Sequence, residues 1–165
     1  MTAQRYEKIE QWFRARPAAL RTLNLLNQLL PAVVYVLYPL TAVLLLLGRD
    51  MRLVRFLVTP AVGFCAVTVI RSKINAPRPY EVLNIRPLIP RNKSGESFPS
   101  RHLSAMFLIT MAMGWLNPMN YLPLTVIGLA MMAVRVLAGI HFPKDVLAGA
   151  ALGIFIGLIG LYWIP

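Results

Sequence analysis

Two histidines, an aspartate and several arginines interrupt a chain that is otherwise built of long apolar runs. His141 and Asp145 lie in Val134-Arg135-Val136-Leu137-Ala138-Gly139-Ile140-His141-Phe142-Pro143-Lys144-Asp145, a polar break between two such runs, and His102 opens another. A charged residue near the middle of a membrane helix costs about 2.5–3.5 kcal/mol on insertion scales, so ionisable groups kept there are candidates for function. The chain has no other histidine. Two histidines among arginines suggest a nucleophile and a proton donor acting on an anion. Asp145 follows His141 by four residues, and Pro143 suits the first position of a helix. That places Asp145 in the first turn, from where its carboxylate reaches back to one ring nitrogen of His141. The tautomer is then fixed and the other nitrogen is free to attack, the orienting logic of the aspartate in a serine-protease triad.

The anion implied is a phosphate. Arg78 and Arg135 offer planar forks that match phosphate oxygens. Phe98-Pro99-Ser100-Arg101-His102 begins a helix, with Ser100 as the expected N-cap and the first free amides aimed at an anion. Plainer roles exist for each residue taken singly. His102 suits a helix-start histidine bonded to backbone, and Arg135 suits snorkelling to the interface. Lys144 reads as an interface anchor. Arg86, Arg91 and Lys93 read as a solvated or headgroup-facing loop. Met106, Met111, Met113, Met131 and Met132 read as core packing.

Apolar residues make up 58% of the 165-residue chain and charged ones 14%, against about 25% charged in soluble domains. Seventeen basic and six acidic residues give a net charge of +11. The basic residues are separated by apolar runs, so the charge points to a membrane protein with basic flanks and an anionic substrate rather than to nucleic acid. Cys65 is the lone cysteine, which leaves no intrachain disulfide and no thiolate metal site. Residues 1–27 are charged and lack a compact apolar core, so no cleavable signal peptide is expected.

The fold expected is an all-α integral membrane protein with about five transmembrane helices and an N-terminal amphipathic helix. Residues 4–16 carry Tyr6, Ile9, Trp12 and Phe13 at helical spacing, as in a helix lying in the interface or packed on the rest of the chain. The spans expected are 28–47, 53–70, 100–116, 121–140 and 144–163, each compatible with a hydrocarbon core of ~30 Å. Pro60 should kink the second. Residues 71–101 are too rich in proline for a regular helix. Parity then puts Arg71, Lys73, Arg78, Ser100, Arg101, His102, Arg135, His141 and Asp145 on one membrane face. Gly149, Gly153 and Gly157 form a stripe for close helix packing, and a homodimer through it is a further expectation. One domain, 1–165, is expected, with an interfacial segment 1–27 and a site-bearing core 53–163.

The polar residues resemble, in order and spacing, the three motifs of the type 2 phosphatidic acid phosphatase superfamily: K-x6-R-P, P-S-G-H and S-R-x5-H-x3-D. Here they read Arg71-x6-Arg78-Pro79, Pro99-Ser100-Arg101-His102 and Val134-Arg135-x5-His141-x3-Asp145. The resemblance covers about residues 53–163. It implies a metal-free phosphohistidine mechanism with no cofactor. His141 would attack phosphorus, Asp145 would orient it, and His102 would protonate the leaving oxygen. Arg71, Arg78, Ser100, Arg101 and Arg135 would hold the phosphoryl group. Arg71 stands for the lysine, Arg101 for the glycine and Val134 for the serine of the family pattern; Arg101 is a candidate to hold the second phosphate of a diphosphate.

The expected activity is hydrolysis of a lipid phosphate or diphosphate, with undecaprenyl diphosphate as the leading substrate. Phosphatidic acid and phosphatidylglycerol phosphate are the alternatives, and a small transporter or channel subunit is the reading of another class. A soluble-type haloperoxidase is disfavoured by the apolar spans. Partners expected are the lipid substrate and membrane lipids. The location expected is the cytoplasmic membrane, crossed several times. Counting Arg and Lys would place the polar loop inside, but much of that charge is the phosphate site, and bacterial relatives imply an active face outside.

Overall fold

The computed structural model describes residues 2–91 and 93–163. The chain forms α1 (Ala3–Arg14), α2 (Pro17–Leu47), α3 (Arg52–Ile74), the single turn α4 (Pro79–Val82), α5 (Arg101–Leu116), α6 (Tyr121–Leu137) and α7 (Pro143–Leu158). A 3-10 turn (Pro118–Asn120) precedes α6, and a π-helical turn (Ile159–Trp163) extends α7. Four segments, Pro17–Leu47, Arg52–Val82, Pro118–Leu137 and Pro143–Trp163, are long and apolar enough to cross a membrane. The protein is a multi-pass membrane protein.

The third expected span, α5, has a different character. Its 16 residues reach about 24 Å at 1.5 Å per residue, less than any of those four segments. It is the central helix. Leu103, Ser104, Met106, Phe107, Leu108 and Thr110 to Gly114 are all buried along it, the pattern of a helix enclosed on every side. α2, α3, α6 and α7 surround it.

The tightest of these contacts is made by the glycine stripe of α7. A Cβ at Gly149 would lie 2.5 Å from the Ser100 carbonyl, one at Gly153 2.4 Å from the Ser104 carbonyl, and one at Gly157 2.6 Å from Met111 Cβ. The stripe is therefore consumed by α5 of the same chain. That face of α7 is taken up within the chain. The close approach brings the N-termini of α5 and α7 together, and the Ser100 N–H donates to the Asp145 carbonyl at 2.9 Å.

The prolines inside the spans are accommodated locally. Pro60 cannot donate to the Phe56 carbonyl four residues back. That carbonyl instead accepts from the Tyr38 hydroxyl of α2 at 2.9 Å, with the two rings stacked at 4.7 Å. α2 begins at Pro17, eleven residues before the expected start, since proline is well placed at a helix N-terminus. α1 does not lie free. Tyr6 is wholly buried, and Ile9 and Phe13 pack with Leu23, Leu88, Val134, Ala138 and Ile140, while Trp12 stays half exposed.

Candidate active site

The polar ends of α3, α5, α6 and α7 meet on one face, as parity requires. His141 lies in the short link between α6 and α7 and is 2% exposed. The link starts at Gly139, whose φ of 73° is a left-handed conformation that glycine adopts without the Cβ penalty of other residues. Asp145 stands in the first turn of α7, as the spacing predicts. Its Oδ2 accepts from the Phe142 N–H at 2.9 Å, and its distance to His141 Nδ1 is 3.7 Å, too long for a direct hydrogen bond. Ser97 fills that gap. Its hydroxyl donates to Asp145 Oδ2 at 2.6 Å and lies 3.4 Å from His141 Nδ1. With Nδ1 protonated, Ser97 Oγ accepts from Nδ1–H and donates its own O–H to Asp145 Oδ2, so Nε2 carries the lone pair.

The arginines divide into two kinds. Arg71, 4% exposed, donates to the carbonyls of Pro99 and Glu96, so it props the loop ahead of α5. Arg78, 5% exposed, donates through Nε to the Gly95 carbonyl at 3.0 Å, leaving its terminal nitrogens outside that bond. Glu81 closes the same loop by accepting from the Arg78 N–H at 2.6 Å and the Ser94 hydroxyl at 2.6 Å. Arg135 in the last turn of α6 is 2% exposed, and its Nε has no partner among the described residues. The Ser100 hydroxyl is buried and also unpartnered. Ser100 takes the N-cap position but makes no side-chain cap bond, which corrects the expected cap. A buried donor without a partner costs about 1–3 kcal/mol. Two such groups on the face that carries His141 are ones that an oxyanion could satisfy.

His102, in the first turn of α5, is within Coulombic reach of His141, Arg135, Arg91 and Arg101. Arg101 turns toward α3, its guanidinium carbon 5.3 Å from the Phe64 ring centre. Lys73 is exposed on α3, and Lys144 Nζ sits 5.7 Å from the Phe142 ring. Among the described residues no group of three or more His, Cys, Asp or Glu is placed to hold a metal ion.

The PAP2 superfamily model matches residues 52–165, more than two thirds of the chain and every motif residue. The chain belongs to the PAP2 superfamily. A stretch of 83 residues is 35% identical to the undecaprenyl-diphosphatase BcrC of Bacillus subtilis (strain 168), covering 50% of this chain and 42% of that protein, so the match spans less than half the relative's length. Among solved structures, Aquifex aeolicus LpxE superimposes with a TM-score of 0.72 at 26% identity, over 92% of this chain and 93% of that one. A transmembrane PAP2-type phosphatidylglycerolphosphate phosphatase from Bacillus subtilis gives 0.74 at 20% identity over 95% and 83%, which shows a shared fold.

In this PAP2 protein a largely apolar groove leads away from the site. Its main chamber, about 550 Å³, lies between α2, α3 and α5 and is lined by Val34, Tyr35, Tyr38, Pro39, Leu57, Pro60, Phe64 and Ile109 among others. A narrower extension shares Val34, Tyr35 and Ile109 and ends at His102.

Ser97 is the site residue that sequence reasoning missed. In Ser97-Phe98-Pro99-Ser100 it looks like one more turn residue, and it is 44 residues from His141, beyond any local periodicity. Its one signal is that it lies three residues before the expected N-cap, in the loop that Arg71 and Arg78 hold.

Burial holds the His141 imidazolium below the usual histidine range, against the opposing effect of Asp145, with Arg78 and Arg135 adding to the depression. A depressed value keeps the imidazole neutral as pH falls through 6.5, the ordinary histidine value. The loss of phosphate release that comes from protonating His141 is therefore expected at lower pH than that, in the acid limb of kcat/KM. Asp145→Asn removes the opposing effect and should move this limb further toward acid.

Proposed function

We propose that this PAP2-superfamily protein is a metal-independent membrane lipid phosphatase acting through a phosphohistidine, with undecaprenyl diphosphate, converted to undecaprenyl phosphate, as its leading substrate. The observation that carries this reading is the pairing of two buried, unpartnered groups, Arg135 Nε and Ser100 Oγ, with a neighbouring imidazole held through Ser97 and Asp145. In the first step His141 Nε2 attacks phosphorus and the bond to the leaving oxygen breaks, with His102 giving that oxygen a proton. In the second, water attacks phosphorus, the P–N bond breaks, His102 takes the water's proton, and inorganic phosphate leaves. Arg78, Arg135, Ser100 and the first amides of α5 stabilise the charge on the equatorial oxygens; Arg71 supports them by fixing the loop.

The choice of a diphosphate rests on the relative described as an undecaprenyl-diphosphatase and on Arg101, a cation next to His102 in sequence and packed over Phe64, which lines the groove. Phosphatidic acid and phosphatidylglycerol phosphate are the competing substrates. The site faces the outside of the cell membrane in this reading. The test is phosphate release by the purified protein in detergent, with chelator present, over those three lipids. Release is expected from undecaprenyl diphosphate above the monophosphates, and Arg101→Gly should lower diphosphate turnover selectively. Absence of release from every lipid, or its abolition by chelator, would overturn the proposal.

A further inference from the structure

The N-terminal helix lies outside residues 52–165 matched by the PAP2 model, yet it touches the link that carries His141. α6 ends at Leu137, so the Ala138 carbonyl is one of the end-of-helix acceptors left without an intrahelical donor. Ala138 is fully buried, so donors of the protein itself must satisfy its carbonyl. Two donors do: the Tyr6 hydroxyl at 3.1 Å and the Leu88 N–H at 3.1 Å. The same hydroxyl accepts from the Leu88 N–H, also at 3.1 Å. One phenol thus ties α1, the 75–100 loop and the end of α6 into a closed triangle. The next residue, Gly139, is pressed against it: a Cβ there would lie 2.4 Å from Tyr6 Oη and 2.5 Å from Cζ. His141 is two residues further on. The Ile140 and His141 amides then turn back onto the Arg135 carbonyl at 3.2 and 3.4 Å, so the triangle abuts the turn that sets both the imidazole and the end of α6 bearing Arg135.

We infer that Tyr6 is a positioning residue for the reaction, fixing through its hydroxyl the Ala138–Gly139 turn that aims His141. This rests on His141 being the nucleophile, as proposed above. Burial pushes the phenol up to about 12, although the Leu88 N–H acts against this; the hydroxyl keeps its proton, and the triangle holds, throughout the range in which an enzyme would be assayed. A raised value means the neutral phenol is favoured in the fold, so the contact is intact below 10 and is lost only as pH rises from there toward 12.

The test uses the full chain in detergent, with whichever lipid phosphate the wild type turns over. Tyr6→Phe keeps the ring against Gly139 and removes both hydrogen bonds of the hydroxyl. Ile9→Ala loosens α1 without touching the hydroxyl. Rapid-quench measurement separates the amplitude of phosphoenzyme formation, which counts folded sites, from its rate constant, which reports alignment. Tyr6→Phe is expected to keep the amplitude and KM and to lower the rate constant about tenfold to a hundredfold, the range expected when a reacting group is displaced by a fraction of an ångström to one ångström. Ile9→Ala is expected to lower the thermal midpoint and leave the rate constant alone. A full rate constant in Tyr6→Phe, a loss of amplitude only, or an equal fall in both variants would overturn the inference. His141→Ala keeps the two readings apart: if it retains turnover, the functional proposal falls and this inference with it. If it loses turnover while Tyr6→Phe does not, only the role of Tyr6 is refuted.

Discussion

His141→Ala is expected to lower phosphate release by on the order of 10⁴-fold or more, since losing the nucleophile of a cooperating set removes nearly everything the set contributes. That is about 5.5 kcal/mol of barrier at 1.36 kcal/mol per tenfold. The neighbours should show a graded series. Asp145→Asn keeps the shape but not the charge, and leaves the Ser97 hydroxyl and the Phe142 amide at most a neutral carbonyl oxygen beside an NH2 donor; a loss of about 10³-fold is expected from a misoriented tautomer. Ser97→Ala removes the atom between Nδ1 and the carboxylate, and about tenfold is expected, the scale of one hydrogen bond of about 1–1.5 kcal/mol. Because Asp145 stands 3.7 Å from Nδ1, it acts on His141 largely through Ser97, so Asp145→Asn should cost less in a Ser97→Ala background than in wild type. Single-turnover release on the four variants checks this. Strict additivity of the two losses would sink the relay while leaving His141 in place.

Arg135→Met should separate activity from stability. Arg135 is 2% exposed, and its Nε has no partner among the described residues. A buried cation held only for an absent anion stabilises the ligand-free fold poorly, and apolar replacement of buried charges is often neutral or stabilising by about 1–4 kcal/mol. Phosphate release is expected to fall about 10²–10³-fold, the loss typical of one preorganised oxyanion donor. The thermal midpoint is expected to stay level or rise, by roughly 2–4 °C per kcal/mol for a chain of this size. Vanadate or inorganic phosphate should raise the midpoint of wild type, because a ligand bound only by the folded state stabilises it by mass action. It should raise that of the variant much less. A variant that unfolds earlier than wild type and still releases phosphate would show that Arg135 is a packing residue. The opposite pattern is what a site organised around an anion predicts, with stability given up for function.

Much of this was legible in the chain itself. The membrane class followed from apolar runs set against sparse, one-signed charge. The site face followed from parity, which needs only the order of the spans. His141, Pro143 and Asp145 are local: three residues within five positions, whose relation is set by the geometry of one helix start. Arg71, Arg78, Ser100, His102 and Arg135 could be read at helix ends by spacing alone. The glycine stripe also announced a close packing face, but not which helix would occupy it.

The tertiary structure decided what depends on contacts between distant residues. The stripe faces α5, so α5 became the enclosed centre of the protein. Arg71 reads in sequence as another phosphate fork; in the fold it spends two donors on the Pro99 and Glu96 carbonyls. Ser100 looks like a cap, but its hydroxyl has no partner among the described residues, while its N–H donates to the Asp145 carbonyl of α7 and its carbonyl accepts from the Ser104 amide and hydroxyl of α5. Ser97 and Tyr6 are 44 and 135 residues from His141 in sequence, and no periodicity links positions so far apart. Helix period, caps and charge patterning are local properties that a sequence carries openly. Which atom fills the gap between His141 and Asp145, and which hydroxyl closes the end of α6, is settled only when separate helices are packed side by side.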